Sequence, residues 1–246
     1  MINGNMKRNS AIYSAMTPRL LLIAEAARGA KTVADIGTDH AYVPVYMCLE
    51  LGTLSAVAAD INTGPLERAD ANIKKYGLSD RITTRLSDGL KKFVADEADT
   101  VVIAGMGGTL IAKILEDSPQ MKTENIRFVL QPMTAEEELR RYLTENGYEI
   151  TDERMTGEGE KLYTVITAEV GESEEYDEVF YHVGKKLLEK KDKLFPLFIE
   201  RKIAEFEKVA DGLSKATPSP ERDEKKGYCL MILGELKKIA EECRTW

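Results

Sequence analysis

The chain has 246 residues, with 34 Lys and Arg against 42 Asp and Glu for a formal charge of −8, and 43% of its residues are hydrophobic. That is material for one α/β domain of ordinary size and a smaller appendage, and the net acidity argues against a general nucleic-acid binder. No apolar run approaches membrane-spanning length and the N-terminus lacks the apolar core of a signal peptide, so a cytoplasmic protein is expected. Cys48, Cys229 and Cys243 are isolated, and His40 and His182 cannot complete a zinc set with them, so neither a metal nor a disulfide is expected.

Thr17-Pro18 opens the first predicted helix, with a capping hydroxyl and proline at the first helical position, and Leu20 to Ala27 continues it. Strand signals follow at 33–37, 56–61, 82–86, 100–104, 126–130, 148–152 and 161–168. Helix signals lie between them at 42–50, 65–76, 108–116 and 134–146. Gly64-Pro65 marks one helix start, and Thr134-Ala135-Glu136-Glu137 reads as a capping box for another. Strand and helix alternate through the first five strands, which predicts a parallel sheet with right-handed crossovers. The last two strands are joined only by Thr156 to Glu160, which predicts an edge hairpin and a seven-stranded, mostly parallel sheet with one antiparallel strand. Beyond Glu172 there is no strand signal. Apolar residues at three-and-four spacing from Val183 to Leu213 and from Cys229 to Cys243 predict two antiparallel helices joined through Ala216 to Pro220. Pro196 should start the longer helix, because in its interior it would remove a backbone bond. Two domains are expected, 1–171 and 172–246.

The segment Asp35-Ile36-Gly37-Thr38-Asp39-His40-Ala41-Tyr42 is the first strand-to-helix crossing, where parallel strands open a ligand crevice. A dinucleotide site wants three glycines; here Asp39 and Ala41 occupy the second and third places, and a carboxylate there repels a diphosphate. An acid just before the glycine suits a cation, and S-adenosylmethionine, with its sulfonium and α-ammonium, is the common cation at such a crevice. Asp60, closing the second strand, is placed to hold a ribose diol, and Asp88 in Ser87-Asp88-Gly89 to accept from the amine of an adenine. Asp88 also fits a plain Asp-Gly turn. Seven basic residues between 182 and 202, among them Lys185, Lys186 and Lys190, either face phosphates or form a solvated helix face.

Asp35 through Pro44, Gly64-Pro65, Arg85-Leu86-Ser87-Asp88-Gly89-Leu90, Ile103-Ala104-Gly105-Met106-Gly107-Gly108 and Leu130-Gln131-Pro132, taken together, resemble the bacterial tRNA (adenine-22-N1)-methyltransferase family, TrmK. The likeness covers roughly residues 17–170, and the charged helical tail is similar to that family's C-terminal coiled-coil domain. The resemblance implies a class I, Rossmann-like methyltransferase fold, S-adenosylmethionine as donor, and methylation of N1 of an adenine in the D-arm of tRNA. It places Asp35 and Gly37 at the methionine end of the donor, Asp60 at the ribose, Asp88 and Gly89 at the adenine, and Asp39 and Tyr42 facing the transferred methyl. Ile36, His40, Ile61, Ala104, Gly105 and Met106 complete the expected donor site. The family often has Asn after its Gln-Pro pair, where this chain has Met133.

N1 of adenine carries an in-plane lone pair, so its chief requirement is position. Methylation leaves the ring cationic, and Asp39 is the candidate carboxylate to stabilise that charge; a role as cap of the helix near Ala41 is compatible with this. Tyr42 would stack on the base or offer its hydroxyl. Enzymes that methylate adenine N6 usually carry a polar-Pro-Pro-aromatic loop after the fourth strand; Ala104-Gly105-Met106-Gly107-Gly108 stands there instead. The Gly107 and Gly108 amides could bind a phosphate, and Gln131 with Pro132 could meet the adenine edge. Arg19, Arg28 and Lys31 near the sheet and the basic face at 182–202 are the evident RNA contacts. Two further readings stay open: a small-molecule methyltransferase whose helical tail is a lid or dimer element, and a non-catalytic RNA-binding adaptor. The oligomeric state is left open as well.

Overall fold

A computed structural model describes residues 10–246, which divide between Glu174 and Glu175 into a sheet unit and a helical unit. The signal-peptide expectation falls partly on the first nine residues, which lie outside the described range.

In the sheet unit, α1 (Ser10–Ala15) and α2 (Pro18–Ala26) come first. The Thr17 hydroxyl accepts from the Leu20 amide at 3.4 Å and Pro18 occupies the first turn, as the sequence predicts. Seven strands follow: β1 (Thr32–Ile36), β2 (Ser55–Asp60), β3 (Ile82–Leu86), β4 (Thr100–Gly107), β5 (Arg127–Thr134), β6 (Tyr148–Glu158) and β7 (Lys161–Val170). Their order across the sheet is β3-β2-β1-β4-β5-β7-β6. The first five run parallel and β7 is antiparallel to both of its neighbours, so the hairpin forms one edge with β6 outermost. Val101 to Ile103 and Phe128 to Leu130 are buried without interruption, as strands covered on both faces require, whereas β6 alternates.

The connecting helices are α3 (Tyr42–Tyr46), α4 (Thr63–Lys75), α5 (Gly108–Glu116) and α6 (Glu136–Glu145). Three local expectations change. The predicted capping box does not form: β5 continues through Thr134, Ala135 takes a left-handed conformation (φ 53), and α6 starts without a side-chain cap. Pairing decides this, since Thr134 is in register with Gly107 of β4. The hairpin link is only Gly159-Glu160, because Glu158 still pairs with Lys161; Gly159 at φ 60 supplies the turn. The helix expected over 42–50 stays α-helical to Tyr46 and then widens over Met47–Leu51 before Gly52.

The helical unit contains α7 (Glu178–Val183), α8 (Lys185–Glu189), α9 (Phe195–Lys215) and α10 (Pro220–Cys243). The last two are the antiparallel pair: Lys237 meets Glu207 at 2.8 Å, and the Cys229 thiol donates to the Phe206 carbonyl at 3.2 Å. Pro196 lies in the first turn of α9, and Ser219 caps α10 through the Arg222 amide at 3.1 Å. Val183 and Leu187 belong to the short α7 and α8, separated by Gly184 at φ 82, and not to the long helices. Among the described residues, no helix is long and apolar enough to cross a membrane, and no group of three His, Cys, Asp or Glu could hold a metal.

Candidate active site

The strand order reverses between β1 and β4, since β2 and β3 extend one way and β5 the other, and a crevice forms at the carboxyl ends of that pair. A cavity of about 360 Å³ lies there, lined by Arg19, Leu20, Asp35, Gly37, Thr38, Asp39, His40, Tyr42, Val43, Ala104 and Gly105. Its size is that of a site for one small organic ligand. Gly37 and Thr38 donate their amides to the Ala59 carbonyl at 2.8 and 2.9 Å, which ties the end of β1 to that of β2.

Asp35 is only 7% exposed, and among the described residues no basic side chain pairs with it. Burial pushes its carboxyl up to about 6; the Thr38 hydroxyl draws it back and Asp60 adds to the rise. A buried acid facing a cavity without a counter-ion is suited to a cation. Gly37 has φ 76, a left-handed conformation that favours glycine, and a Cβ there would stand 2.1 Å from Met106 Cε, so that flexible side chain would have to move aside.

Arg19 supplies the opposite charge. Its Nη1 donates to Gln131 Oε1 at 2.8 Å, and its guanidinium lies 5.6 Å from the centre of the Tyr163 ring. Gln131 is fully buried: Oε1 also accepts from the Gly105 amide at 3.2 Å, while Nε2 donates to the Pro132 carbonyl at 2.6 Å and to Met133 Sδ at 3.6 Å. Its amide is therefore engaged on both sides. Pro132 is buried beside it, and Met133 is 41% exposed.

On the opposite wall Asp39 is exposed. Arg68 of α4 donates to its Oδ1 from Nε at 2.9 Å and Nη2 at 2.7 Å, and His40 Nε2 lies 3.7 Å from the same oxygen. Asp39 does not cap α3, whose N-cap is Ala41 without a side-chain bond. His40 and Ala41 have φ 69 and 52, left-handed for residues other than glycine, at roughly 1–2 kcal/mol each. The His40 ring stacks on Tyr42 at 5.2 Å and 13°.

Several expected residues lie beside the cavity and not on its wall. Ile36 is buried in β1. Asp60 accepts from the Asn62 amide at 2.7 Å, and Ile61 next to it is 60% exposed. Asp88 is exposed and paired with Lys91; a Cβ at Gly89, φ 55, would touch Ile114 at 3.0 Å. Gly107 caps α5, and Gly108 is buried with its Cα turned to the Ala135 carbonyl, where a Cβ would stand 2.0 Å from the oxygen. Close packing thus accounts for glycine at 108. In the helical unit Lys186 pairs with Glu189 at 3.2 Å, Lys185 meets Glu189 at 3.9 Å and lies over Tyr176, and Lys190 is exposed at the end of α8. Sequence reading missed Thr38, Arg68, Asn72 and Tyr163. Thr38 sat inside the recognised motif, but nothing local marks the other three.

The model of the family described as tRNA (adenine(22)-N(1))-methyltransferase, TrmK, matches residues 33–230. A Bacillus subtilis protein named tRNA (adenine(22)-N(1))-methyltransferase is 33% identical over 215 residues, 85% of this chain and 90% of the relative. The crystal structure of the B. subtilis m1A22 tRNA methyltransferase TrmK matches with a TM-score of 0.83 at 31% identity, covering 92% of this chain and 98% of that one. The structure of M. capricolum TrmK with S-adenosyl-homocysteine, its natural cofactor product, matches with a TM-score of 0.73 at 28% identity, covering 93% and 98%. These likenesses favour the tRNA reading over the small-molecule and adaptor readings. They span both units, and the chain belongs to the TrmK family of S-adenosylmethionine-dependent tRNA (adenine(22)-N1)-methyltransferases.

Proposed function

We propose that this chain methylates N1 of adenine 22 in tRNA, and that the cavity between the ends of β1 and β4 holds the methionine end of S-adenosylmethionine. The observation that carries this reading is the buried Asp35 carboxyl, which faces the cavity without a cation of its own. The donor supplies an electrophilic methyl group on a sulfonium. Asp35 and Arg19 both line the cavity and carry opposite charges, which suits a ligand end that carries both an ammonium and a carboxylate.

The target base has only to be placed in line, because its N1 lone pair needs no prior deprotonation. Asp39, at the cavity wall, would accept from the N6 amine as that edge becomes acidic, and Tyr42 would hold the ring face. Gln131 has both amide groups engaged within the protein, so its part is to orient Arg19 and the Gly105 turn. Asp60, Ile61, Asp88 and Gly89 remain the proposed adenosine side. Because N1 lies on the Watson-Crick edge, the base must leave its stack at a cost of a few kcal/mol. Lys185, Lys186 and Lys190 are the proposed phosphate contacts that help offset this, with binding that weakens as salt rises.

Incubation with unmodified tRNA and labelled S-adenosylmethionine, followed by nucleoside mapping, tests the reading. The expected product is 1-methyladenosine at position 22; label at N6, or none in RNA, would exclude it.

A further inference from the structure

His40 and Ala41 are the only two consecutive non-glycine residues with left-handed backbone among those described, and they lie between Asp39 and Tyr42 in the cavity wall. Such a turn persists only where its surroundings over-determine it. Ala41 is buried in the core, and the polar part of the surroundings is one face of α4. Arg68 holds Asp39 Oδ1 through two donors at 2.9 and 2.7 Å, and Asn72 Nδ2 donates to the His40 carbonyl at 2.9 Å. The two residues are four positions apart, which places them one above the other on the helix.

We propose that Arg68 and Asn72 are positioning residues of the methyl-transfer site, a clamp that keeps Asp39, His40 and Tyr42 in place along the cavity. The proposal rests on the reading of Asp39 as the group that acts on the target adenine. One anchor grips the main chain of the strained turn and the other grips the side chain that the turn presents. Binding Oδ1 to a planar guanidinium fixes the plane of the carboxylate and leaves Oδ2 to accept from the substrate. The pair is solvated, with side chains 48% and 60% exposed, so its share of fold stability is small. Orientation is what it contributes, and orientation reads out in turnover.

Steady-state kinetics on a tRNA transcript test this with Arg68→Ala, Asn72→Ala, Asn72→Gln, and Arg68→Ala combined with Asp39→Asn. In each alanine variant kcat should fall about 10-fold, with KM for tRNA and donor affinity by calorimetry held within about 2-fold. Asn72→Gln should recover part of the loss, the melting temperature of Arg68→Ala should stay at the parent value, and Arg68→Ala should have no further effect once Asp39→Asn is present. A slowed Asp39→Asn enzyme together with normal Arg68→Ala and Asn72→Ala enzymes, or an Arg68→Ala effect undiminished beside Asp39→Asn, overturns the clamp and leaves the reading of Asp39 standing. Full turnover by Asp39→Asn alone locates the fault in that reading and removes the clamp's purpose with it.

Discussion

On the β1 and β4 side of the crevice, Asp35 is 7% exposed, Gly37 and Gly105 take left-handed turns, and a fully buried Gln131 fastens Arg19 to the Gly105 amide. On the β2 and β3 side, Ile61 is 60% exposed, Leu86 is 44% exposed, and Asp88 meets Lys91 in solvent. Under the proposed reading the difference matches what each side would recognise, a charged ligand end on the first and a flat ring on the second. A charged group is held firmly only by a dry, rigid wall, because attraction between charges falls steeply as the local dielectric rises. A flat ring is served by an open apolar shelf with an acceptor at its rim.

The comparison breaks most severely at Gly108, where β4 passes into α5. Alanine there would drive a Cβ against the Ala135 carbonyl, main chain that cannot rotate aside, and should cost about 3 kcal/mol of stability in a denaturant titration. An unchanged midpoint would mean that the rigid side is softer than its packing implies.

Asp35→Asn sharpens the comparison. Donor affinity by calorimetry should fall about 100-fold, while the free protein becomes more stable at neutral pH. The sign follows from the raised pKa. The folded carboxyl keeps its proton up to about pH 6 and the unfolded one loses it near 3.8, so wild-type stability declines as pH rises between those values. Above pH 6 the full cost, on the order of 3 kcal/mol, is present, and asparagine removes it. Donor affinity of the wild type should in turn climb as pH rises through about 6, since the cation requires the carboxylate. A variant that binds donor normally would deny Asp35 its role.

The smallest effect is expected at Asp88→Asn, which should weaken donor binding by less than about 10-fold because the carboxylate is already solvated and paired. A loss as large as that at Asp35 would show that the two sides do not differ in kind.

Much of the cavity lining was legible because its residues cluster at strand ends, where an acid followed by glycine is a local signature. Asp35, Gly37, Asp39, His40 and Tyr42 come from one segment, and the structure sets them on one cavity with Arg19, Ala104 and Gly105. The Thr134 capping box misled because the same residues serve equally well as the last rung of β5, and pairing with Gly107 settles the matter. The Gln131-Pro132 pair is compatible with an amide at the adenine edge or with a plain strand end; the burial of Gln131 and its bonds within the protein, which no local pattern discloses, support an orienting part.

By itself, then, the sequence determined the seven strand positions, the edge hairpin and the helical character of the C-terminal part, since period, turn residues and caps act over a few residues. Only the tertiary structure decided which distant side chains meet: Arg19 with Gln131 across 112 positions, and Arg68 with Asp39 across 29. Those meetings depend on strand order and on how α2 and α4 pack. Such long-range contacts follow from burying the whole apolar surface at once, and no short stretch of chain encodes them.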